Sequence, residues 1–346
     1  MSEPREMQRF RGEFPLGEAW SELDRFEDTV TIAGVSIGRA GLVARNGSGR
    51  EMTGSAAEVD STPAAAMRAY CELVERVSTV EALEDGARSW PVVASDGAVT
   101  GYIETRAIFP ESDEPEVWQY ARSNGIAFHT DFEQARDRAT WELIERDRVL
   151  RSWYGPIPPE RTELPGAFPE ALRSVLDWQA YVLPDPDPAA WAADVRVAIV
   201  VGFPRSADVP LALGFGARPR AEAALGAAAG EAFQRLAFLW DESIPRDRPD
   251  PAPNPQSHLE WFLYPEHHGL LRSWLDGRHR RFGQDWPGSR AGAGAPSFVD
   301  LTPAALRGRG HVIQARCPDV IPLTFGVGPR ELSGHLPEAL KMHPVA

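Results

Sequence analysis

The sequence predicts an α/β fold, sheets layered with helices and built in part from internally repeated strand-helix units, and three observations predict it. A pentapeptide recurs almost unchanged, Glu72-Leu73-Val74-Glu75-Arg76 and Glu142-Leu143-Ile144-Glu145-Arg146, with a blurred copy at Glu231-Ala232-Phe233-Gln234-Arg235. Alanines precede each copy at matching offsets: Ala65, Ala135 and Ala224 lie seven residues before its first Glu, and Ala69, Ala139 and Ala228 three before it. Those offsets describe one helix used three times, with two acidic residues on neighbouring turns and a smooth alanine strip where another backbone can approach. Between the helices lie short β-branched and alternating stretches, and strands interleaved with helices mean α/β layers.

Taken in order, Thr29 to Ala40 alternates apolar and small polar residues as strands do, and Asn46-Gly47-Ser48-Gly49 is a turn. A Thr62-Pro63 step opens the first repeated helix, with Pro tolerated in its first turn, and Asp85-Gly86 closes it. Val92-Val93-Ala94 and Thr100-Gly101-Tyr102-Ile103 read as strands, and Ser123-Asn124-Gly125-Ile126-Ala127 as a loop. Asp131 followed by Gln134 is a capping-box signature for the second repeated helix, which should run to about Trp153. Gly155 to Pro165 and Leu183 to Pro188 are Pro-rich and read as stiff, extended connections. Val195 to Val201 is a buried strand, and Leu211 to Ala217 leads into the third helix, Ala221 to Trp240. Ile244 to Pro255 reads as a mobile excursion, after which strands at Phe298 to Thr302, His311 to Ile313 and Pro322 to Gly326 alternate with turns and a short helix.

The 346 residues, 43% hydrophobic and 25% charged, can bury a sizeable core. A formal charge of −14 argues against sequence-blind contact with nucleic acid or an anionic membrane. Cys71 and Cys317 are the sole cysteines, and Cys71 sits within an apolar helix pattern, so a reducing, cytosolic setting is expected. The longest apolar run, Val197 to Phe203, is too short to span a bilayer. No Gly-x-x-x-x-Gly-Lys-Ser/Thr loop and no His or Cys ligand spacing occurs, which disfavours a P-loop NTPase and a zinc site. One Glu-x-x-Glu-Arg alone would be a solvated helix face; the matched copies point instead to carboxylates gathered for a metal.

Ser123-Asn124-Gly125-Ile126-Ala127 followed by Glu142-Leu143-Ile144-Glu145-Arg146-Asp147 resembles the YcaO family, as do Gly214-Phe215-Gly216-Ala217 and Pro322-Leu323-Thr324-Phe325-Gly326, over roughly residues 50 to 346. The resemblance implies a YcaO-like ATP-binding domain over 51–346, with 1–50 as a flanking segment packed on it. It implies ATP and Mg²⁺ as cofactors and a ribosomally made precursor peptide as substrate. A nucleophile would attack a backbone amide, whose oxygen is phosphorylated and leaves, giving an azoline from Cys, Ser or Thr, or alternatively a thioamide or amidine. By motif match Glu72, Glu75, Glu142 and Glu145 would hold the metal and Glu142 and Glu145 would serve the chemistry. Arg68, Ser123, Asn124, Thr130, Gln134, Arg146 and Glu231 would join Glu72 and Glu75 around the nucleotide. Arg146 is expected to brace its carboxylate neighbours; Trp141, Trp153 and Tyr154 are core residues or the lining of a peptide groove.

The chain departs from the family pattern at three places. Glu58-Val59-Asp60 stands where many relatives have Gly-Lys-Gly, leaving Arg68 to supply the cation; Gln134 stands where a Glu is usual, and Ala227 where an Arg is. These motivate a second reading, a weakened scaffold or regulatory subunit of a modification complex, and a third is a metal hydrolase that needs no ATP. The tail His343-Pro344-Val345-Ala346 resembles those of azoline-forming members without their repeated Pro-x-Pro pattern. The family-like part uses nearly all the length, so a separate leader-peptide-binding partner is expected, and a homodimer is allowed.

Overall fold

The computed structural model describes residues 5–84, 89–109, 119–120, 124–185, 190–240, 242–244, 252–278, 294–321, 323–325 and 338–345. The chain divides into two compact units that alternate along the sequence. One comprises Met1–Phe109, Gly125–Thr140 and Pro296–Arg316; the other comprises Pro110–Asn124, Trp141–Ala295 and Cys317–Ala346.

In the first unit Trp20–Ile32, Val35–Asn46 and Glu51–Val59 form an antiparallel sheet in that order. The strand pattern expected from Thr29 to Ala40 resolves into two strands joined at Ala33 (φ 50°) and Gly34 (φ 83°). Positive φ at both positions matches the hairpin turn to the twist of its strands. The first repeat helix, Thr62–Glu84, packs on this sheet. Ser61 caps it, its Oγ accepting from the Ala64 N–H at 3.2 Å; Asp85 and Gly86, expected to close it, lie outside the described residues. Ala65 and Ala69 are fully buried, and a Cβ on Gly54 would lie 2.1 Å from the Ala69 carbonyl oxygen. Glycine is required there for strand and helix backbones to meet.

A second antiparallel sheet in this unit runs Val99–Glu104, Ser89–Val93, Ser297–Asp300, His311–Arg316, Ile126–His129. Ile126 and Ala127, expected in a loop, are therefore strand residues, paired with Gln314 and Ile313; the turn falls at Gly125, φ 70°. The second repeat helix, Phe132–Tyr154, follows. Its Asp131 cap accepts from the Gln134 N–H at 2.9 Å, but the Asp131 N–H donates to His129 Nδ1 at 3.0 Å, so the imidazole replaces the expected reciprocal arm.

In the second unit Ala212–Arg218, Arg196–Pro204, Leu176–Leu183 and Glu160–Thr162 form an antiparallel sheet in that order. The stretch Gly155 to Pro165 is thus part sheet and not only a connection. Strand alternation sorts side chains by size. Val197, Ile199, Val201, Phe203, Leu213 and Phe215 pack with Ile144, Leu150, Trp153 and Trp274 in one core. The opposite face holds Gly214 and Gly216, where a Cβ would lie 2.2 and 2.4 Å from the carbonyl oxygens of Ala228 and Ala224 on the third repeat helix, Ala221–Leu239. This repeats the arrangement of Gly54 over Ala69. Trp153 and Tyr154 are fully buried and line no groove. Helices Pro255–Trp261 and Pro265–Leu275 follow the Pro-rich Ile244 to Pro255 stretch, whose residues 245–251 lie outside the described ones. Leu340, Met342, His343 and Val345 are buried, so the carboxy-terminal turn is core. Among the described residues no helix is long and apolar enough to cross a membrane.

Candidate active site

The first acidic pair is tied to the sheets of its own unit. Glu72 Oε2 accepts from the Ser55 N–H at 2.7 Å, and its Oε1 from Arg76 Nη2 at 2.5 Å. Arg76 in turn donates to the Thr53 carbonyl at 3.0 Å. Glu75 Oε1 accepts from the Phe128 N–H at 2.7 Å. Each carboxylate thus spends an oxygen on a strand backbone, which fixes its rotamer. Glu231 on the third helix repeats the first of these bonds, accepting from the Phe215 N–H at 2.9 Å. Ser55 and Phe215 each follow the glycine that lets its helix approach, so the sequence repeat is also a repeat of hydrogen bonding.

The second unit concentrates charge. Glu142, Glu145 and Arg146 of the second helix and Glu231 of the third act on one another: Arg146 lies 3.8 Å from both Glu142 and Glu145. Glu145 keeps only 12% of its side-chain surface. Burial, then the negative charge of Glu231, push its carboxyl up to about 8, with Arg146 opposing. Burial works to lower the Arg146 pKa, but Glu142, Glu145 and Glu231 hold it above its ordinary value. Arg235 is driven down to about 10 by burial, with Glu231 opposing. Arg218 lies 5.1 Å over the Trp141 ring beside the cluster. Three carboxylates in one enclosed site, one of them resisting ionisation, form a place where added positive charge is favoured.

The remaining expected residues fall as follows. Arg68 is half exposed and donates to Glu58 at 2.6 Å, so the expected substitute cation is already paired with an acid. Asp60 takes φ 57°, the left-handed conformation glycine adopts most easily. Asn124 Oδ1 is buried without a hydrogen-bond partner among the described residues. Thr130 and Gln134 are exposed, and Ser123 lies outside the described residues. Two residues that the motif reading did not assign are prominent. Asp147, fully buried, accepts from the Ile321 N–H at 2.8 Å and pairs with Arg151 at 3.0 Å, pinning the segment before Leu323-Thr324-Phe325 to the second helix. His343, also fully buried, has its Nε2 2.7 Å from the Thr324 carbonyl. The Glu-x-x-Glu-Arg-Asp spacing was a usable signal for Asp147, which lies one turn from Leu143 on the buried side.

These donors fit a Mg²⁺-nucleotide pair. Among the described residues no three His, Cys, Asp or Glu side chains form a metal cage, and Mg²⁺ beside phosphates is held by one or two carboxylates with phosphate oxygens and water. Glu142 and Glu145 supply hard oxygen donors whose excess negative charge such a cation would relieve.

A model of the YcaO family, described as YcaO cyclodehydratase, ATP- and Mg²⁺-binding, matches residues 100–295. Among solved structures the chain is similar to YcaO from Methanopyrus kandleri bound with AMPPCP and Mg²⁺, at 20% identity and a TM-score of 0.61, covering 91% of this chain and 90% of that one. It is also similar to a chain of the E. coli microcin synthetase McbBCD complex with pro-MccB17 bound, at 11% identity and 0.59, covering 94% and 96%. A heterocyclase in complex with substrate and cofactor matches at 16% and 0.58, covering 90% of this chain but 52% of that longer one. At such identities the likeness is one of fold. Sequence comparison with curated proteins gives no match.

Proposed function

The chain belongs to the YcaO family, and on that premise we propose that it is an ATP- and Mg²⁺-dependent enzyme that activates backbone amides of a ribosomally made peptide, with azoline formation from Cys, Ser or Thr as the favoured outcome. The observation that carries the reading is the enclosed Glu142, Glu145, Glu231 and Arg146 cluster. Glu142 and Glu145 would hold Mg²⁺, which with ATP supplies the charge neutralisation and phosphoryl group that turn an amide oxygen into a leaving group. Arg146 keeps both carboxylates oriented from 3.8 Å. Glu231, anchored on the Phe215 N–H, keeps negative charge beside Glu145 and so keeps a proton there until a cation takes its place. Glu72 and Glu75, held by Ser55 and Phe128, are rigid acceptors within the first unit. Thioamide or amidine formation from the same activated amide is the finer alternative.

A separate leader-binding partner and a precursor peptide belong to this proposal. The test is phosphate release: the chain with its genomic neighbours and cognate peptide should release phosphate in step with loss of one water per modified residue. Release that stays at background with every neighbouring peptide and partner would sink it. One observation favours a second reading, a regulatory subunit that does not turn over ATP: Arg68 is neutralised by Glu58. Glu58→Lys should then strengthen nucleotide binding, whereas in a complete site it would do nothing or harm.

A further inference from the structure

Each of the three larger sheets has two edges, and among the described residues all of these edges but one are guarded. On strands Glu51–Val59, Ile126–His129 and Ala212–Arg218 the N–H groups of Ser55, Phe128 and Phe215 are taken by Glu72, Glu75 and Glu231. Trp20–Ile32 is blunted by charge at Glu22, Asp24, Arg25, Glu27 and Asp28, and Glu160–Thr162 is both short and charged. Charge, shortness and covering are the devices that keep a sheet edge from pairing with another chain.

The remaining edge, strand Val99–Glu104, lacks them. From Gly97 to Ile103 it carries neither charge nor proline. Tyr102 is 69% and Val99 55% exposed, more than any other large apolar side chain among the described residues. The neighbouring strand Ser89–Val93 places Pro91 opposite Tyr102. Opposed residues of an antiparallel pair either exchange two hydrogen bonds or turn their N–H and C=O groups away from each other. Pro91 has no N–H for such an exchange, so the N–H and C=O of Tyr102 face the open edge. A Cβ added at Gly101 would meet nothing within 4 Å, so the position beside the exposed ring is empty.

This edge is complementary to a second copy of itself. Antiparallel pairing about a two-fold axis at Tyr102 sets that residue against the partner's Tyr102, and the two exchange a pair of hydrogen bonds. The same register sets Gly101 against the partner's Ile103, which fills the empty position, and Thr100 against the partner's Glu104, so like charges do not meet. We propose that strand Val99–Glu104 is a homodimer interface, two copies joining edge to edge with Tyr102 on the two-fold axis. The inference rests on this edge and stands without the amide-activation reading.

So short an edge buries less than a standard interface, and the expected dimer is weak, with a dissociation constant of about 10–100 μM. Sedimentation velocity of the full chain across that range should show the monomer–dimer equilibrium, and hydrogen exchange at the Tyr102 amide should slow as the dimer forms. Tyr102→Lys and Tyr102→Glu each set a charge against its own copy across the axis, so each alone should be monomeric. An equimolar mixture of the two should dimerise again, a rescue that a misfolded variant could not give. A native chain that stays monomeric would overturn the proposal and leave the edge to a strand of another protein. A dimer that survives either substitution would do the same, as would a mixture of the two variants that fails to associate.

Discussion

Replacing Glu145 with Gln tests the electrostatic reading of the acidic cluster without changing its shape. The folded-state pKa of Glu145 is raised from an ordinary 4.5 to about 8, first by burial and then by Glu231. Between those values the native chain holds a proton that the unfolded chain has lost, so stability falls as pH rises through the window. Below it the penalty is absent in both states, and above it the penalty is complete. At ~1.4 kcal/mol per pH unit the ceiling is ~5 kcal/mol. The side chain keeps 12% of its surface in contact with water, and solvent penetration and coupling within the cluster bring the expectation down to about 2–3 kcal/mol. Thermal unfolding followed from pH 5 to 9 should therefore show native Tm sagging toward high pH, while Glu145→Gln loses most of that slope and is the more stable protein at pH 9. Mg²⁺ with a non-hydrolysable ATP analogue should release close to one proton per site from the native protein near pH 7, measured by titration calorimetry in buffers of different ionisation enthalpy, and none from the variant. Parallel Tm profiles for the two proteins would refute the reasoning, because they would mean that Glu145 is ionised throughout.

Other expectations follow from packing and satisfaction. Gly214→Val should cost ~3 kcal/mol or more by driving a side chain against the Ala228 carbonyl, whereas Gly226→Ala, on an exposed helix position with nothing within 4 Å, should gain about 0.5–1 kcal/mol; chemical denaturation compares them directly. Tyr154 Oη is fully enclosed without a partner among the described residues, so Tyr154→Phe should leave stability unchanged or raise it by up to ~1 kcal/mol, and a loss above that size would reveal a hidden partner. Burial drives His343 down to about 4 from 6.5. The unfolded chain therefore takes up the proton first, and stability is lost as pH falls from about 6.5 toward 4. Limited proteolysis across that range should find the carboxy-terminal turn opening, and His343→Phe should blunt the effect.

The sequence determined which chemistry this chain could gather. The three copies of the acidic helix, their alanine strips and the glycine-bearing strand of the third are local patterns, and helix and strand periodicity express them wherever the chain folds. That is why the helices at Thr62–Glu84, Phe132–Tyr154 and Ala221–Leu239 were legible to within a residue or two. Strand Trp20–Ile32 was not, because Ser21 to Thr29 is charged and largely exposed and carries no period-2 signal of burial. Leu176–Leu183 does alternate, but the prolines on both sides obscured it. Ile126 became strand through pairing with Gln314, a partner almost 190 residues away that no local window contains. The tertiary structure alone decided the work of each acid. Glu72 and Glu231 spend an oxygen on the strand behind them, while the proton on Glu145 depends on Glu231, a residue 86 positions later in sequence. Sequence spacing sets which side chains share a helix face; burial and charge from distant elements set whether those side chains are struts, acids or ligands.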